Sequence, residues 1–305
     1  AREISPVELL EACIARIERV NPLVNALAAT DYERARHAAK AAETAVMRGE
    51  RLGILHGLPT GIKDLEETAG LLSTFGSPLF RNNVPARDAS MVARVRAAGA
   101  VIVAKTNTPE FGAGANTRNP VWGATGNPFN PNLSAGGSSG GSAVALACDM
   151  LPVCTGSDTG GSLRIPAAIC GVVGFRPSPG LVGTDRRSLG WTPISVAGPM
   201  GRTVADTCQL LAAQVALDER DPLSYPVDGS AFATPVPVDP SSLRVAWTED
   251  FGTCPVDHRI RGVFRDKMKA MRHLFKSCNE TAFDFGDAHR CSDVIRALNF
   301  VDRFR

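Results

Sequence analysis

Apolar residues recur every three or four positions in several stretches of the chain, a spacing typical of helices that bury one face. The first stretch follows a Ser-Pro-Val-Glu segment at residues 5–8 and contains Val7, Leu10, Ile14 and Ile17. That segment combines a capping box with proline at the first helical position. The pattern predicts a helix that begins after residue 5 and ends at Asn21-Pro22.

The same periodicities predict that helices and strands alternate along the rest of the chain. Helices are expected over residues 32–48, 88–98, 143–147, 203–216, 258–275 and 293–304. Apolar strands are expected over residues 100–104, 150–153, 170–175 and 243–247, with a short extended piece over 53–61. Such alternation favours an α/β domain in which helices cover a largely parallel sheet. A connector rich in Pro and Asp spans residues 218–242.

Composition and charge argue against several classes of protein. The 305 residues are 44% hydrophobic and 21% charged, and 33 basic against 31 acidic residues give a net charge of +2. A charge near zero, the lack of a long basic run and an aromatic content of 6% argue against nucleic-acid binding. No apolar run reaches the roughly 18 residues that a membrane helix requires. We therefore expect a globular protein that binds neither nucleic acid nor a membrane.

The eight cysteines are spread along the chain without a C-x-x-C pair, so the sequence indicates no zinc site. Cys148 and Cys170 stand among Ala, Val and Leu residues, where cysteine usually behaves as a small core residue. Residues 1–5 carry charges where a signal peptide would be apolar. We therefore expect free thiols, no bound metal and a cytoplasmic location.

Two Gly/Ser-rich turns lie close together within residues 133–166. The first is Gly-Gly-Ser-Ser-Gly-Gly at 136–141, and the second is Gly-Gly-Ser at 160–162. A glycine-rich turn leaves N–H groups free to converge on an anion, and a serine in it supplies an exposed hydroxyl that can act as a nucleophile. A flexible linker is the alternative for such a run, but the apolar segment 143–147 that follows favours a packed site.

Four kinds of site compete for these serines. The pattern G-x-S-x-G matches around Ser138 and Ser139, but a nucleophile elbow needs a preceding strand, which the Asn/Pro-rich residues 127–132 do not provide. Neither glycine pattern of a phosphate-binding loop is present. The five histidines have no evident tie to the serine turns, which argues against a Ser-His-Asp triad. The fourth kind is a serine activated by lysine, and Lys63 is the candidate base because it follows the strand-like stretch 53–61.

Seven segments in the region from Gly57 to Asp206 provide a more specific pattern. They are HGLPTGIKDL, GAVIVAKTNTPEF, GNPFNP, GGSSGGSAVALA, GSDTGGSLRIPAA, GVVGFRPSPG and GPMGRTVAD, in that order. Together these segments, which are spread over a region that covers about half of the chain, resemble the amidase signature family. The resemblance implies a single large α/β domain with a mixed, mostly parallel β-sheet that is covered by helices on both faces.

The resemblance also implies a domain organisation. Residues 1–305 would form one amidase-type domain, with N-terminal helices over 5–50 and a catalytic core over about 53–216. Residues 243–305 would be the start of a C-terminal part. Because family members are considerably longer than this chain, we expect that part to be incomplete.

Members of the family use a Ser–Ser–Lys triad, and the resemblance assigns its roles by position. Ser162 would be the nucleophile, Lys63 the base, and Ser138 the serine that passes a proton between them. A cis peptide bond would join Ser138 to the preceding glycine. The N–H groups of the oxyanion hole would come from Thr159, Gly160, Gly161 and Ser162.

The role of base requires a neutral lysine. Because the amine of a free lysine has a pKa near ~10.4, keeping it neutral at pH 7 requires about 4.6 kcal/mol. Burial can lower the pKa of a lysine that far. We therefore expect Lys63 to lie at a strand end inside the α/β core.

Three neighbours of the triad are expected to support it. Ser139 would either donate a hydrogen bond within the triad or serve as a turn residue. Asp158 and Arg164 flank the oxyanion turn, and we expect them to pin that loop through backbone hydrogen bonds or an ion pair. Substrate contacts are expected from Asn130, Asn132 and Thr159, and acyl specificity from residues 106–131 and 180–196.

The implied reaction is hydrolysis of a carboxylic amide to an acid and ammonia or an amine, through an acyl-enzyme on Ser162 and without a metal or organic cofactor. The expected partner is a small-molecule amide, and the expected assembly is a homodimer. Two alternatives stay open: the A subunit of a tRNA-dependent glutamine amidotransferase, which would need partner chains and tRNA, and a truncated, inactive relative. The amidotransferase protein usually carries glutamine next to the arginine of this motif, whereas Ile165 follows Arg164 here, so a stand-alone amidase is favoured.

Overall fold

A computed structural model describes residues 3–185, 187 and 189–303 of the chain. The chain forms two compact units, Ala1–Pro235 and Val236–Arg305, and the boundary lies inside the connector predicted over 218–242. The first unit contains a six-stranded sheet and every site residue predicted from the sequence. Among the described residues, every helix is too short or too polar to span a bilayer.

The helices and strands are numbered in chain order. The α-helices in the described residues are α1 (Pro6–Val24), α2 (Tyr32–Met47), α3 (Ser90–Ala97), α4 (Gly140–Ala147), α5 (Arg164–Cys170), α6 (Val204–Gln214), α7 (His258–Met271) and α8 (Ala288–Arg303). The strands are β1 (Leu27–Thr30), β2 (Pro59–Lys63), β3 (Val101–Thr106), β4 (Arg118–Asn119), β5 (Gly123–Ala124), β6 (Val153–Asp158), β7 (Val173–Gly174), β8 (Val196–Gly201), β9 (Arg244–Trp247) and β10 (Ser277–Glu280).

The main sheet has the strand order β1-β3-β2-β6-β8-β7. Strand β2 pairs in parallel with both β3 and β6, whereas the pairs β1–β3, β6–β8 and β7–β8 are antiparallel. Strands β2, β3, β6 and β7 therefore run in one direction, which confirms the predicted mixed and mostly parallel sheet. The carboxyl ends of β2, β3 and β6 meet at one edge, where Lys63 lies beside Thr106.

Helices pack on both faces of this sheet, as predicted. Along β3, Val101 and Val103 belong to one apolar cluster, and Ile102 belongs to another. Because successive side chains of a strand point to opposite faces, the two clusters lie on opposite sides. The first cluster includes residues of α1 and α4, and the second includes residues of α3 and α6. The core is thus two apolar layers with the sheet between them.

The start of α1 follows the sequence prediction closely. The Ser5 hydroxyl accepts a hydrogen bond from the Glu8 N–H (3.1 Å), and the Ser5 N–H donates to the Glu8 carboxylate (2.8 Å). These two bonds form the predicted capping box, which satisfies N–H groups that the helix itself cannot. The buried face contains Leu10, Ile14 and Ile17.

The predicted end of α1 at Asn21-Pro22 is wrong, because the helix continues to Val24 with Pro22 in its last turn. Proline removes one N–H donor from the helix, but the turn is closed by other bonds. Asn25 adopts a left-handed conformation (φ 50°) and donates its N–H to the Asn21 carbonyl. The left-handed cap at Asn25, and not the proline, ends the helix.

Two predicted strands are displaced. The strand expected over 150–153 begins instead at Val153 and continues through the polar residues to Asp158. These residues lie in the interior of the sheet and so form a strand without an apolar pattern. The strand expected over 170–175 is reduced to Val173–Gly174, because Cys170 ends helix α5.

The other predicted helices form with shifts at their ends. The helices expected over 32–48, 88–98 and 203–216 are confirmed as α2, α3 and α6. The helix expected over 258–275 ends earlier, at Met271 in α7. Residues 293–303 of the last predicted helix are part of α8, and residue 304 lies outside the described residues, as do two residues of the predicted specificity segment 180–196.

Candidate active site

The side chain of Lys63, the last residue of the central strand β2, is completely buried. Three serine hydroxyls surround its amine. The Lys63 Nζ lies 2.7 Å from Ser138 Oγ, 2.8 Å from Ser139 Oγ and 2.9 Å from Ser157 Oγ. The structure therefore brings together the predicted base, the predicted relay serine and its neighbour, and adds Ser157, which the sequence analysis did not select.

The serines reach the amine because helix α4 begins, and strand β6 ends, close to the end of β2. Ser138 and Ser139 immediately precede helix α4, and a cis peptide bond joins Gly137 to Ser138. Ser157 lies in β6, which pairs directly with β2. Ser157 is the last residue but one of β6, and near this strand end its hydroxyl reaches the lysine amine.

Burial changes the chemistry of the lysine. Desolvation lowers the pKa of the Lys63 amine from its ordinary value to about 7, and the negative charges of Glu66 and Asp158 act in the opposite direction. A cation that leaves water for the protein interior loses its hydration, and the neutral amine becomes favoured. A substantial fraction of the amine is therefore neutral near pH 7, as a proton acceptor requires.

The turn after β6 is organised by the carboxylate of Asp158, which is fully buried. It accepts hydrogen bonds from the N–H groups of Gly161 (2.9 Å) and Leu163 (3.1 Å) and a bidentate pair from Arg164 (both 3.0 Å). Burial by itself raises the pKa of the Asp158 carboxyl, but the hydrogen bonds from Arg164, Gly161 and Leu163 lower it to about 2. Both kinds of contact expected of Asp158 and Arg164, the backbone hydrogen bonds and the ion pair, are thus found in the structure.

Arg176, which follows β7, contacts this turn and was missed by sequence reasoning. Its guanidinium lies 2.9 Å from the Asp158 carboxylate and 2.5 Å from the Asp158 carbonyl oxygen, and it also donates to the Ile194 carbonyl (3.0 Å). Arg176 therefore ties the turn to the segment that leads into β8. Its place in the segment GVVGFRPSPG, where it is the one charged residue, could have identified it.

Ser162, the predicted nucleophile, lies in the same turn and is half-buried. The Ser139 N–H donates to its carbonyl oxygen (3.2 Å), which connects the two Gly/Ser turns. Within the described ranges the Ser162 hydroxyl has no hydrogen-bond partner, so the chain of bonds runs from Lys63 to Ser138 and is not closed to Ser162. Such bonds are often long before substrate binds.

The backbone N–H groups predicted to form the oxyanion hole differ in whether they already have a hydrogen-bond acceptor. The Gly161 N–H is directed to Asp158, as described above, whereas the N–H groups of Thr159, Gly160 and Ser162 find no acceptor among the described residues. Gly161 has a φ of +112° and Gly160 borders open space. The turn that contains Ser162 therefore has three N–H groups without an acceptor among the described residues.

A second lysine, Lys105 in β3, is also completely buried and was not selected from the sequence. Its amine donates to the Thr68 hydroxyl (3.0 Å) and to the Glu66 carbonyl, and it lies 3.8 Å from the Asp64 carboxylate. Desolvation lowers the pKa of Lys105 to about 8. Lys105 thereby holds the loop that follows Lys63 against the sheet.

The residues predicted to contact substrate form hydrogen bonds within the chain. Asn130 accepts a hydrogen bond from the Asn132 N–H (3.1 Å) within an exposed turn. The hydroxyl of Thr159 donates to that of Ser195 (3.1 Å). In the described part of the chain no cluster of His, Cys, Asp and Glu side chains is arranged to bind a metal ion.

Comparison with known proteins gives this site a context. The model of the family called Amidase matches residues 8–304. An acylamidase of Rhodococcus erythropolis is 37% identical over 287 residues, which cover 94% of this chain and 60% of the relative. The A subunit of the glutamyl-tRNA(Gln) amidotransferase of Chloroflexus aurantiacus is 37% identical over 274 residues, which cover 90% of this chain and 56% of the relative. The chain thus spans somewhat more than half the length of these relatives.

Solved structures agree with this result. A bacterial aryl acylamidase of the amidase signature family superposes with a TM-score of 0.88 at 31% identity, covering 98% of this chain and 62% of that protein. The 6-aminohexanoate cyclic dimer hydrolase superposes with a TM-score of 0.81 at 34% identity, covering 92% of this chain and 58% of that protein. The family match, the relatives and the shared fold show that the chain belongs to the amidase signature family.

Proposed function

We propose that the chain carries the catalytic part of an amidase, which hydrolyses the C–N bond of a carboxylic amide through an acyl-enzyme on Ser162. The observation that supports this most strongly is the Lys63 amine, which is completely buried and lies 2.7 Å from Ser138 Oγ. A lysine that is about half neutral near pH 7 and contacts a serine of the first Gly/Ser turn suits the activation of a serine nucleophile.

In the first half of the reaction, the hydroxyl of Ser162 attacks the amide carbonyl carbon. Its proton passes to Ser138 Oγ as the Ser138 proton passes to Lys63 Nζ, so Lys63 becomes charged. The carbonyl oxygen becomes an oxyanion, which the N–H groups of Thr159, Gly160 and Ser162 stabilise. The C–N bond then breaks, and the leaving nitrogen receives the proton from Lys63 through Ser138.

In the second half, water takes the place of the leaving amine. It gives its proton through Ser138 to Lys63 and attacks the ester carbon of the acyl-enzyme. The bond to Ser162 Oγ breaks, the serine recovers a proton by the same route, and the acid leaves. No step needs an external oxidant, reductant or metal, and the only reactants are the amide and water.

The expected substrates are small-molecule amides, with N-acyl aryl amines as the first class to test. The support is similarity to an acylamidase and to a bacterial aryl acylamidase. The A subunit of an amidotransferase is the second candidate, because relatives of that kind reach 37% identity over 90% of this chain. The two candidates differ in whether the protein needs partner chains and tRNA.

The experiment is a hydrolysis assay with the purified 305-residue chain on a panel of anilides, aliphatic amides and ureido amides. We expect release of ammonia or amine, with a loss of about 10³-fold or more in kcat for Ser162→Ala and for Lys63→Ala. Full activity in either variant would disprove the assigned roles. Strict dependence on added partner chains and tRNA would favour the amidotransferase, and no hydrolysis of any amide would favour an inactive relative.

We also propose that the protein works in the cytoplasm. All eight cysteines lie in described residues, and none of them forms a disulfide. Free thiols are typical of a reducing compartment. Fractionation of cells that express the native gene, with detection by antibody, would test this location, and recovery outside the cytoplasm would contradict it.

A further inference from the structure

The hydroxyl of Ser157 is a partner of the Lys63 amine to which neither the sequence nor the family resemblance gave a role. Ser157 lies in β6 and pairs with Ala197 of β8, and its Oγ is 2.9 Å from Lys63 Nζ. Among the described residues this amine is the one hydrogen-bond partner of the Ser157 hydroxyl. The hydroxyl is therefore free to serve the amine either as acceptor or as donor.

The hydrogens of the neutral amine limit the possible arrangements. A neutral primary amine has two N–H hydrogens and one lone pair, and three hydroxyls lie within 2.9 Å of it. The Ser139 hydroxyl donates to the Ser157 carbonyl (3.3 Å) and also accepts from the Ser157 N–H (3.3 Å). With its own hydrogen directed to that carbonyl, Ser139 accepts from the lysine, which takes one of the two N–H hydrogens.

The second N–H and the lone pair are then divided between Ser138 and Ser157. If Ser157 donated to the lone pair, Ser138 could only accept from the amine. Its proton would have no route to Lys63, and the proposed relay would not work. If Ser157 accepts the second N–H, the lone pair faces the Ser138 hydroxyl.

We propose that Ser157 is a positioning residue, whose hydroxyl together with that of Ser139 takes both N–H hydrogens of the Lys63 amine and turns its lone pair toward Ser138. This inference rests on the proposed function, since only a reaction that moves a proton from Ser138 to Lys63 requires the lone pair in that direction. Ser157 acts through Lys63 and does not itself contact the substrate.

The same hydroxyl affects the proton affinity of the lysine. Glu66 and Asp158 are the charged groups that act on the amine, and both favour its charged form. A hydroxyl that accepts a hydrogen bond from the ammonium also favours the charged form. Replacement of Ser157 by alanine should therefore make the lysine less basic as well as less well oriented.

The experiment compares Ser157→Ala with Ser157→Thr and with Ser142→Ala as a matched control. The Ser142 hydroxyl is buried and is hydrogen-bonded to the Thr106 hydroxyl and the Thr155 carbonyl, whereas the described partners of the Lys63 amine are Ser138, Ser139 and Ser157. For Ser157→Ala we expect a loss of about tenfold in kcat and a shift of the acid limb of the pH–rate profile to lower pH. The kcat of Ser157→Thr should stay within about twofold of the wild-type value. In both Ser157→Thr and Ser142→Ala the acid limb should stay at the wild-type pH.

A purely structural role for Ser157 predicts a different result. The acid limb of the pH–rate profile of Ser157→Ala would then stay at the wild-type pH, and its kcat would decrease only as much as that of Ser142→Ala. This outcome would overturn the inference. Failure of Ser157→Thr to restore the position of the limb would overturn it as well.

A second measurement separates this inference from the proposed function. The pKa of Lys63 can be followed by NMR titration of protein labelled at the lysine ε-carbons, with the resonance assigned from Lys63→Met. A lower Lys63 pKa in Ser157→Ala than in the wild type and Ser157→Thr supports the role of Ser157 even if no amide is hydrolysed. An unchanged pKa in Ser157→Ala contradicts it even if hydrolysis is observed.

Discussion

At the scale of single residues, the site depends on a lysine that the fold keeps out of water. Lys63 of β2 lies opposite Thr106 of β3, and Lys105 of β3 lies opposite Ile62 of β2. Both lysine side chains are completely buried. The pKa of Lys63 is lowered to about 7 and that of Lys105 to about 8, in each case first of all by desolvation. Three hydroxyls around Lys63 supply hydrogen bonds in place of water, so the interior tolerates either protonation state.

The lowered pKa of Lys63 predicts a pH-dependent stability. Between the folded pKa of about 7 and the unfolded value of 10.5, the unfolded state binds more protons than the folded state. The free energy of unfolding therefore rises with pH in this window. In Lys63→Met the pH dependence of stability that comes from Lys63 is absent, whereas the pH dependence that comes from Lys105 is unchanged. We expect the stability of the wild type relative to the variant to rise by about 1.4 kcal/mol per pH unit above pH 7.

Urea unfolding of both proteins between about pH 7 and 9 measures this difference. Lys276→Met, at an exposed position in the second unit, serves as the control for loss of a lysine. A difference between the wild type and Lys63→Met that does not change with pH would show that the lysine titrates normally in the folded state.

Asp158 is the second residue on which the site depends. Its buried carboxylate is the common acceptor for two backbone N–H groups and two guanidinium groups. Because the pKa of Asp158 is lowered to about 2, the carboxylate contributes stability that is fully present above its unfolded pKa and is lost as the pH falls toward 2. This one side chain fixes the turn that contains Ser162.

For Asp158→Asn we expect a loss of about 2 kcal/mol in the free energy of unfolding at neutral pH, because two backbone N–H groups and the guanidinium groups of Arg164 and Arg176 lose a charged acceptor. Asp149→Asn is the matched control, since Asp149 pairs with Arg202 at the surface and has a φ of 56° that asparagine tolerates. The control should change stability by less than about 1 kcal/mol. Urea unfolding measures both values, and equal losses would contradict the proposed role of the Asp158 carboxylate.

At the scale of elements, the start of helix α4 is placed by a glycine, whose lack of a side chain allows a close backbone contact. A Cβ atom at Gly141 would lie 2.2 Å from the Asn107 nitrogen and 2.5 Å from the Ala26 oxygen, both of them backbone atoms. Glycine therefore lets the start of α4 touch the backbone after β3. This contact carries Ser138 and Ser139, which directly precede the helix, to the end of β2.

Substitution of this glycine tests the packing of α4. In Gly141→Ala the added methyl group must displace backbone atoms, so we expect a lower melting temperature and weaker hydrolysis, although alanine is the better helix former by about 1 kcal/mol. Gly262→Ala in α7 is the control, because nothing lies within 4 Å of the added Cβ. Thermal unfolding followed by circular dichroism compares the two, and a Gly141→Ala protein as stable as the control would refute the contact.

At the scale of the whole molecule, the two units differ in how they bury apolar side chains. The first unit contains both apolar clusters of the core. In the second unit none of the described residues 236–302 is buried, and Ile260 and Val263 of α7 are more than half exposed. Because burial of apolar surface is the main stabilising term, we expect the second unit to be the less stable one.

Limited proteolysis tests this difference. A low concentration of a protease with broad specificity should first cleave the connector and the second unit, and leave a fragment close to residues 1–235. Mass spectrometry of the products over time identifies the first cuts. Early cleavage inside the six-stranded sheet, or loss of the chain without a persistent fragment, would contradict the prediction.

Much of the fold was predictable because apolar periodicity reports local structure. The spacing of Leu10, Ile14 and Ile17 identified α1, and the apolar run after Gly99 identified β3. The pattern failed where elements carry small or polar residues. Strand β6 contains Thr155 and Ser157, and its polar residues are partnered in the interior, so its sequence has no alternation to detect.

The sequence by itself determined the alternation of helices and strands, the family, and the motif positions of Lys63, Ser138 and Ser162, because these depend on short-range pattern and composition. Only the tertiary structure decided which groups meet. The contacts of Ser157 with Lys63 and of Arg176 with Asp158 join residues far apart in the chain. Such contacts depend on strand pairing and burial, which also set the pKa of Lys63. No local stretch of sequence encodes that environment, because desolvation is a property of everything packed around the amine.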